Sequence, residues 1–122
     1  MQLEKTTLVI GASENEERYS NMAVQLLQAN KHYTKAIGNK AGTINETIIE
    51  KGMPPLNNID TVTLYINPTV QESYYQYILS LAPRRIIFNP GTENTVLQKM
   101  ATEKGIDTIN ACTLVMLKTG QY

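Results

Sequence analysis

Short apolar runs alternate with segments of helical periodicity along the whole chain. The runs are four to six residues long, rich in β-branched residues, and end at glycine, asparagine or proline, which is typical of buried strands. They predict five strands, at Thr6–Gly11, Tyr33–Ile37, Thr61–Ile66, Arg85–Phe88 and Ile106–Asn110. Between them, apolar residues three or four positions apart predict helices. These are a helix that ends near Asn30, helices at Val70–Leu81 and Val96–Ala101, a brief helix at Thr43–Lys51 and a last short helix at Cys112–Leu117.

Strands that alternate with helices form βαβ units, which build a parallel sheet covered on both faces. Right-handed crossovers leave few topologies for such units. The predicted fold is therefore α/β: a single Rossmann-like, doubly wound, mainly parallel five-stranded sheet with helices on both faces. With 122 residues and no linker-like segment, the chain is expected to form one domain over residues 1–122.

Charge and composition exclude several classes of protein. Eleven Lys and Arg balance eleven Asp and Glu, which argues against a general nucleic-acid binder with a strongly basic face. One cysteine, Cys112, and one histidine, His32, exclude a disulfide framework and a multi-histidine metal centre. No apolar run approaches the roughly 20 residues of a membrane span. The first residues, Met1–Lys5, lack the apolar stretch of a signal peptide, so the cytoplasm is the expected location.

Ligands of open α/β sheets bind beyond the carboxyl ends of the strands, where helix N-termini offer unpaired N–H groups. Small, polar or turn-forming residues follow every predicted strand. These segments are Gly11–Ser13, Gly38–Lys40, Ile66–Pro68, Asn89–Gly91 and Asn110–Cys112. We therefore expect a ligand site along this edge of the sheet.

The loop after the first strand lacks the G-x-G-x-x-G pattern of dinucleotide-binding sites and has one glycine followed by a long polar segment. Gly11 permits a sharp turn, Ser13 can donate its hydroxyl to a phosphate oxygen, and Ser20 or Asn21 can cap the next helix. The guanidinium of Arg18 suits paired hydrogen bonds to a phosphate. A solvated loop, in which the neighbouring glutamates pair with Arg18, explains the same residues equally well.

The end of the second strand bears on the choice of cofactor. NAD sites usually place an acidic residue there to bind the ribose hydroxyls, whereas Gly38–Gly42 contains no acid and one lysine, Lys40. A lysine at this position suits a phosphate on the adenosine ribose, as in NADP or coenzyme A. A solvated surface lysine remains the alternative interpretation.

Taken together, these motifs resemble the small stand-alone CoA-binding proteins, which are similar to the N-terminal CoA-binding domain of the succinyl-CoA synthetase alpha subunit. The resemblance extends from Thr6 to Leu117. It rests on Val9–Ser13, Arg18–Ser20, Gly38–Gly42, Asn89–Gly91 with Glu93 and Asn94, and Ala111–Cys112. It implies a Rossmann-like fold that binds coenzyme A along the strand ends.

The resemblance also implies roles for individual residues. Gly11, Ala12, Ser13 and Asn15 would face the pyrophosphate and pantetheine, Arg18 and Tyr19 would lie near the phosphates, and Lys40 would meet the ribose phosphate. The remaining predicted contacts are Asn39, Asn67, Pro68, Asn89, Pro90, Gly91 and Cys112. The chain departs from the family where Asn15–Glu17 replaces the usual proline of the first loop and where Gly38–Lys40 replaces a usual Asn-Pro. Glu14, Glu16 and Glu17 would repel a polyanion unless they point outward.

Chemistry at the site has one candidate, Cys112, at the expected start of the last helix. A thiol there can exchange with coenzyme A or its thioesters, although free cysteines are more often small buried hydrophobes. No base is identifiable, because His32 precedes the second strand and is expected at the surface, at the opposite end of the sheet. No catalytic residue and no metal ligand is predicted.

The sequence thus predicts a non-catalytic module that binds coenzyme A or an acyl-CoA as a carrier, a sensor or a subunit of another enzyme. Self-association is compatible with this role, whereas nucleic-acid and membrane partners are not expected. One alternative is a small enzyme that uses an NADP-type dinucleotide or thiol exchange through Cys112. Another is an interaction protein whose pocket is vacant.

Overall fold

The first apolar run forms β1 (Thr7–Ile10), a fully buried strand at the centre of the sheet in the computed structural model, which describes residues 5–122. The other strands of this part of the chain are β2 (Thr34–Ile37), β3 (Gly42–Ile44), β4 (Thr47–Glu50), β5 (Thr61–Leu64), β6 (Arg85–Phe88) and β7 (Asp107–Asn110). Their order across the sheet is β3-β4-β2-β1-β5-β6-β7, and only the β3–β4 pair is antiparallel. In chain order the six parallel strands lie 3-2-1-4-5-6, the Rossmann arrangement. The predicted α/β class and mainly parallel sheet are confirmed.

The predicted number of five strands is wrong, because the sheet has seven within residues 5–122. The two additional strands, β3 and β4, form a hairpin where a brief helix was expected at Thr43–Lys51. Thr47 and Ile49 are buried while Ile48 is exposed, the alternation of a strand rather than a helix. Ile49 pairs with Ala36 of β2 and extends the core, so tertiary pairing decides the structure of this segment.

Helices cover both faces of the sheet, as predicted. They are α1 (Tyr19–Ala29), α2 (Pro68–Gln71), α3 (Tyr75–Leu81), α4 (Thr95–Glu103) and α5 (Thr113–Lys118). On one face, α1 and α5 pack against the core that contains Val9 and Ile87. On the other, α3 and α4 pack against the core that contains Leu8 and Phe88. Among residues 5–122, no helix has the length and apolar character needed to cross a bilayer.

The single helix expected over Val70–Leu81 is interrupted by a 3-10 turn at Glu72–Tyr74, which separates α2 from α3. Val70, expected on the buried face, is exposed, and Gln71 is completely buried instead. The Gln71 amide nitrogen donates to the Ile66 and Thr92 carbonyl oxygens, both at 2.8 Å. A buried polar side chain therefore fixes the orientation of α2, which an apolar periodicity does not indicate.

His32 is buried, which contradicts its expected surface position. Its Nδ1 accepts a hydrogen bond from the Lys5 amide at 2.9 Å, and its ring lies 4.9 Å from the Tyr122 ring. Tyr122 is itself buried, and its hydroxyl shares a hydrogen bond with Thr7 Oγ1 at the amino end of β1. The predicted sheet end is confirmed, since His32 lies before β2 and away from the carboxyl ends of the strands. Residues 1–4 lie outside the described residues. They are part of the domain predicted over residues 1–122 and of the segment predicted to lack the apolar stretch of a signal peptide.

Candidate functional site

A cavity of about 570 Å³ lies at the carboxyl ends of the central strands. The chain leaves β1 toward β2 on one side, and β5 returns beside β1 on the other, so this is the topological switch point at which open α/β sheets bind ligands. The cavity is lined by residues 11–15, 38–40 and 65–66, together with Arg18 and Tyr74. Seven of the residues predicted to bind a cofactor line it: Gly11, Ala12, Ser13, Asn15, Arg18, Asn39 and Lys40.

Gly11 makes the turn at the floor of the cavity. Its φ of 99° is in the left-handed region, and a Cβ would lie 2.8 Å from the Tyr65 carbonyl oxygen, so only glycine fits without strain. The amides of Gly11 and Ala12 both donate to the Ile37 carbonyl oxygen at 2.9 Å. These two amides therefore hold the loop against β2, and any anion must find its donors further along the loop.

The loop then leads directly into α1. Ser13 Oγ accepts a hydrogen bond from the Asn15 amide at 3.1 Å and keeps its own proton to donate. Asn21 Nδ2 donates to the Ser13 carbonyl oxygen at 3.0 Å and ties the loop to the first turn of the helix.

The N-cap position of α1 belongs to Arg18, and no side chain caps the helix there. The expectation that Ser20 or Asn21 would cap it is wrong, since both lie inside the first turn and are buried. The first turn also contains no acidic residue. Of its backbone N–H groups, that of Asn21 donates to the Arg18 carbonyl oxygen at 3.1 Å. Those of Tyr19 and Ser20 precede the first intrahelical hydrogen bonds and lie at the positive end of the helix dipole. An uncapped helix N-terminus beside a cavity is therefore suited to an anionic group.

Three charged side chains line the cavity: Arg18 and Lys40 are cations and Glu14 is an anion. All three are exposed. Glu16 and Glu17, in the same loop, do not line the cavity. Of the three glutamates expected to repel a polyanion, only one thus lies at the cavity, where two cations outnumber it.

The other seven predicted contacts are not among the cavity-lining residues: Tyr19, Asn67, Pro68, Asn89, Pro90, Gly91 and Cys112. Their roles in binding remain predictions. Asn67 and Pro68 directly follow Ile66, which does line the cavity, and Asn67 caps α2 by accepting a hydrogen bond from the Val70 amide at 2.9 Å. Tyr19 is 70% exposed at the start of α1.

Asn89 is buried, and its side chain is occupied inside the protein. Its Nδ2 donates to Thr63 Oγ1 at 2.7 Å and to the Leu64 carbonyl oxygen at 2.9 Å, and its Oδ1 accepts from the Thr113 amide at 2.9 Å. Asn89 thus joins the ends of β5 and β6 to the start of α5, just after the half-buried Cys112.

Tyr65, Ile66 and Tyr74 line the cavity although they were not predicted as contacts. Tyr65 follows β5 directly and its hydroxyl is buried. Burial, with a smaller contribution from the neighbouring Cys112, raises the pKa of Tyr65 and keeps its phenol neutral. The position of Tyr65 and Ile66 directly after a strand is the signal that could have identified them, whereas Tyr74 lies in the 3-10 turn between α2 and α3.

A second cavity, of about 620 Å³, lies at the opposite end of the sheet. The end of α1, the start of β2 and the β3–β4 hairpin line it, with Lys31 and Lys35 among Glu46 and Glu50. Because its cations and anions are mixed and it lies at the amino ends of the strands, it offers no concentrated positive charge for a phosphate.

Comparisons with known proteins agree with this geometry. A family model described as a CoA binding domain matches residues 5–118. A crystal structure of an uncharacterized protein is 44% identical, with a TM-score of 0.96 over 99% of this chain and 100% of that chain. A hypothetical protein from Pyrococcus horikoshii OT3 is 19% identical, with a TM-score of 0.85 over 95% of this chain and 83% of that chain. A protein from Thermus thermophilus is 16% identical, with a TM-score of 0.84 over 98% and 91% of the two chains. The last two show the fold alone, and no curated protein matches.

Proposed function

Because the chain belongs to the family of CoA-binding domains, we propose that it binds coenzyme A or an acyl-CoA in the cavity at the switch point, as a module without chemistry of its own. The observation that carries this proposal is the convergence of Arg18, Lys40 and the uncapped start of α1 on one cavity. Such a module would serve as a carrier, a sensor or a subunit of another enzyme.

In this proposal the pyrophosphate of the cofactor lies between Ser13 and the first turn of α1. The helix N-terminus supplies N–H donors and a partial positive charge, the Ser13 hydroxyl donates one hydrogen bond, and Arg18 can donate two in parallel. The amides of Gly11 and Ala12 do not take part, since the Ile37 carbonyl oxygen already accepts from both. Gly11 and Ala12 contribute by letting the ligand approach the backbone closely.

The adenosine end would lie over the end of β2, where Lys40 meets the 3′-phosphate. An ammonium group beside a phosphate adds a charge-assisted hydrogen bond, which is stronger than a neutral one. Lys40 is exposed and therefore able to move to the phosphate without breaking a contact in the core. Dephospho-CoA, which lacks this phosphate, is expected to bind more weakly.

The pantetheine arm would extend along Tyr65, Ile66 and Tyr74 on the β5 side of the cavity. These side chains offer apolar and aromatic surface, which suits an uncharged arm better than a phosphate. A binding role without catalysis is supported by the position of His32, which is buried near the amino ends of the strands, away from the cavity.

Thermal unfolding with matched concentrations of CoA, dephospho-CoA, NADP and NAD tests the proposal. A ligand that binds only the native state stabilises it by about 2.7 kcal/mol at a concentration 100-fold above its Kd. We expect the largest rise in Tm with CoA, a smaller one with dephospho-CoA, and a loss of the difference between them in Lys40→Ala. Lys99→Ala, at an exposed position on α4, is the matched control and should behave like the wild type.

Two outcomes would contradict the proposal. A rise in Tm with NADP alone would favour the small-enzyme alternative. A Tm that stays at the ligand-free value with each of the four ligands would indicate that the cavity binds none of them, as expected of an interaction protein.

A further inference from the structure

Glu14 of the first loop reaches across the cavity to the start of β3. Its Oε2 accepts a hydrogen bond from the Thr43 amide at 2.9 Å, although 29 positions separate the two residues. Its side chain lies directly over Gly42, where a Cβ would be 2.4 Å from the Glu14 Cδ and 2.7 Å from its Oε1. The absence of a side chain at position 42 therefore makes room for this carboxylate.

This contact places an acidic side chain beside the end of β2, where the residues that follow the strand include no acid. In Rossmann folds an acidic residue at this place accepts hydrogen bonds from the ribose hydroxyls. Residues 38–42 contain no acid, yet Glu14 lines the same cavity as Asn39 and Lys40 and is held against Gly42 and Thr43. The first loop thus supplies the carboxylate that the second strand lacks.

We propose that Glu14 determines which phosphorylated adenosine the cavity accepts, by taking a hydrogen bond from a free ribose 2′-hydroxyl on its Oε1 while Lys40 binds the 3′-phosphate. The inference rests on the proposed function and adds the basis of its ligand specificity. It identifies the ligand class as adenosine nucleotides with a 3′-phosphate and an unmodified 2′-hydroxyl.

The same carboxylate excludes the isomer with its phosphate on the 2′ position. A 2′-phosphate would replace the hydroxyl donor by a dianion facing Glu14, and like charges brought together in a site are strongly unfavourable. Coenzyme A has a 3′-phosphate and NADP a 2′-phosphate, so Glu14 would separate these two cofactors. Lys40 alone cannot do so, because a flexible ammonium group can reach either position.

The nucleotide halves of the two cofactors test this directly. Calorimetric titration with adenosine 3′,5′-bisphosphate and with adenosine 2′,5′-bisphosphate gives the ratio of the two Kd values for each variant. We expect the wild type to prefer the 3′,5′ isomer. Glu14→Gln keeps an oxygen acceptor for the Thr43 amide and removes the charge. We expect the Kd for the 2′,5′ isomer divided by the Kd for the 3′,5′ isomer to fall about tenfold or more in this variant.

Two further variants keep the test clear. Glu17→Gln removes a charge from the same loop at a position that does not line the cavity, so it should leave the ratio unchanged. Gly42→Ala keeps the Glu14 charge and displaces the carboxylate from its position over residue 42. It should weaken binding of the 3′,5′ isomer, while the Tm in the absence of ligand falls only slightly.

Each outcome has a distinct meaning. The inference is supported if the wild type binds the 3′,5′ isomer more tightly and the ratio of the two Kd values becomes smaller in Glu14→Gln but not in Glu17→Gln. The same preference unchanged in Glu14→Gln would overturn the role of Glu14 and leave the proposed function standing. A wild type that binds neither isomer, or prefers the 2′,5′ isomer, would overturn both.

Discussion

Gly38, at the end of β2, lies against the carbonyl oxygen of Ala12, so that a Cβ at position 38 would be 2.3 Å from that oxygen and 3.1 Å from Ile49 Cγ2. Both close neighbours are held in place, the first by the backbone of the loop after β1 and the second by the core. The two strand ends that border the cavity therefore touch through a position that only glycine can occupy. The placement of the first loop depends on this contact.

Gly38→Ala is expected to displace the first loop and to destabilise the fold by about 1–3 kcal/mol, as overpacking of a tight contact does. Because the loop forms one wall of the cavity, ligand binding should weaken as well. Urea unfolding and titration with CoA measure the two effects.

Gly105→Ala is the comparison variant for this prediction. Its φ of 76° makes alanine strained, but no atom lies within 4 Å of its added Cβ, and the position is remote from the cavity. It should lose about 1 kcal/mol of stability and no affinity. Equal losses of affinity in the two variants would show that the contact between Gly38 and Ala12 is not what shapes the site.

Asn89→Ala is expected to lower the free energy of unfolding by about 2–3 kcal/mol, because it removes three buried hydrogen bonds, to Thr63 Oγ1, the Leu64 carbonyl oxygen and the Thr113 amide. Asn67→Ala removes an exposed asparagine that caps α2 with one hydrogen bond, and should cost about 1 kcal/mol. Denaturant unfolding curves of both variants check this order. A smaller loss for Asn89→Ala than for Asn67→Ala would contradict the structural role assigned to Asn89.

Stability is expected to fall as the pH rises above about 10, the ordinary pKa of tyrosine. Burial, with the Glu50 carboxylate, raises the pKa of Tyr77 to about 12, and its hydroxyl donates to the Pro54 carbonyl oxygen at 2.7 Å. Burial also raises the pKa of Tyr122. The folded state then retains protons that the unfolded state releases, so this stability is complete below the unfolded pKa and is lost as the pH rises through the folded pKa.

Burial lowers the pKa of Lys5 in the folded state, so Lys5 makes stability rise with pH, opposite to the effect of the two tyrosines. The contribution of Tyr77 can be isolated by urea unfolding of Tyr77→Phe between pH 8 and pH 11, a range set by the ordinary tyrosine pKa of about 10. Its unfolding midpoint should decline less steeply than that of the wild type. Tyr19→Phe, at a side chain that is 70% exposed, serves as the control and should keep the wild-type slope. Identical slopes in all three proteins would contradict the expected role of Tyr77.

Cys112→Ser is expected to leave CoA affinity unchanged, because the thiol is not among the cavity-lining groups and the proposed module performs no chemistry. Titration under reducing and oxidising conditions gives the affinities, and intact-protein mass spectrometry after exposure to CoA disulfide gives the covalent state. A wild-type protein that gains the mass of one CoA, with no gain in Cys112→Ser, would instead support thiol exchange.

The repeating order of strands and helices was readable from the sequence because each central strand is a continuous apolar run. The hairpin at β3 and β4 was not, since Thr47–Glu50 is too short for its alternation to outweigh the helical interpretation. The burial of Ile49 comes from pairing with Ala36, eleven residues before β4 begins, and a local pattern contains no such information. Asn45, whose φ is 52°, was the available local signal for a turn between two strands.

At the site, the sequence located the loops but not the directions of their side chains. Gly11, Arg18 and Lys40 were predicted from their positions after strands, and they do line one cavity. Glu14 was grouped with Glu16 and Glu17, because nothing local separates three acids in one loop. Its distinction comes from the Thr43 amide and the space above Gly42, which exist only once the hairpin has formed.

The most direct measurement is an amide ¹H–¹⁵N NMR titration of the protein with CoA. We expect saturable shift changes that are largest at Ser13, at Tyr19 and Ser20 in the first turn of α1, and at Lys40. Unchanged spectra, or changes confined to the second cavity around Lys35 and Ile48, would contradict it.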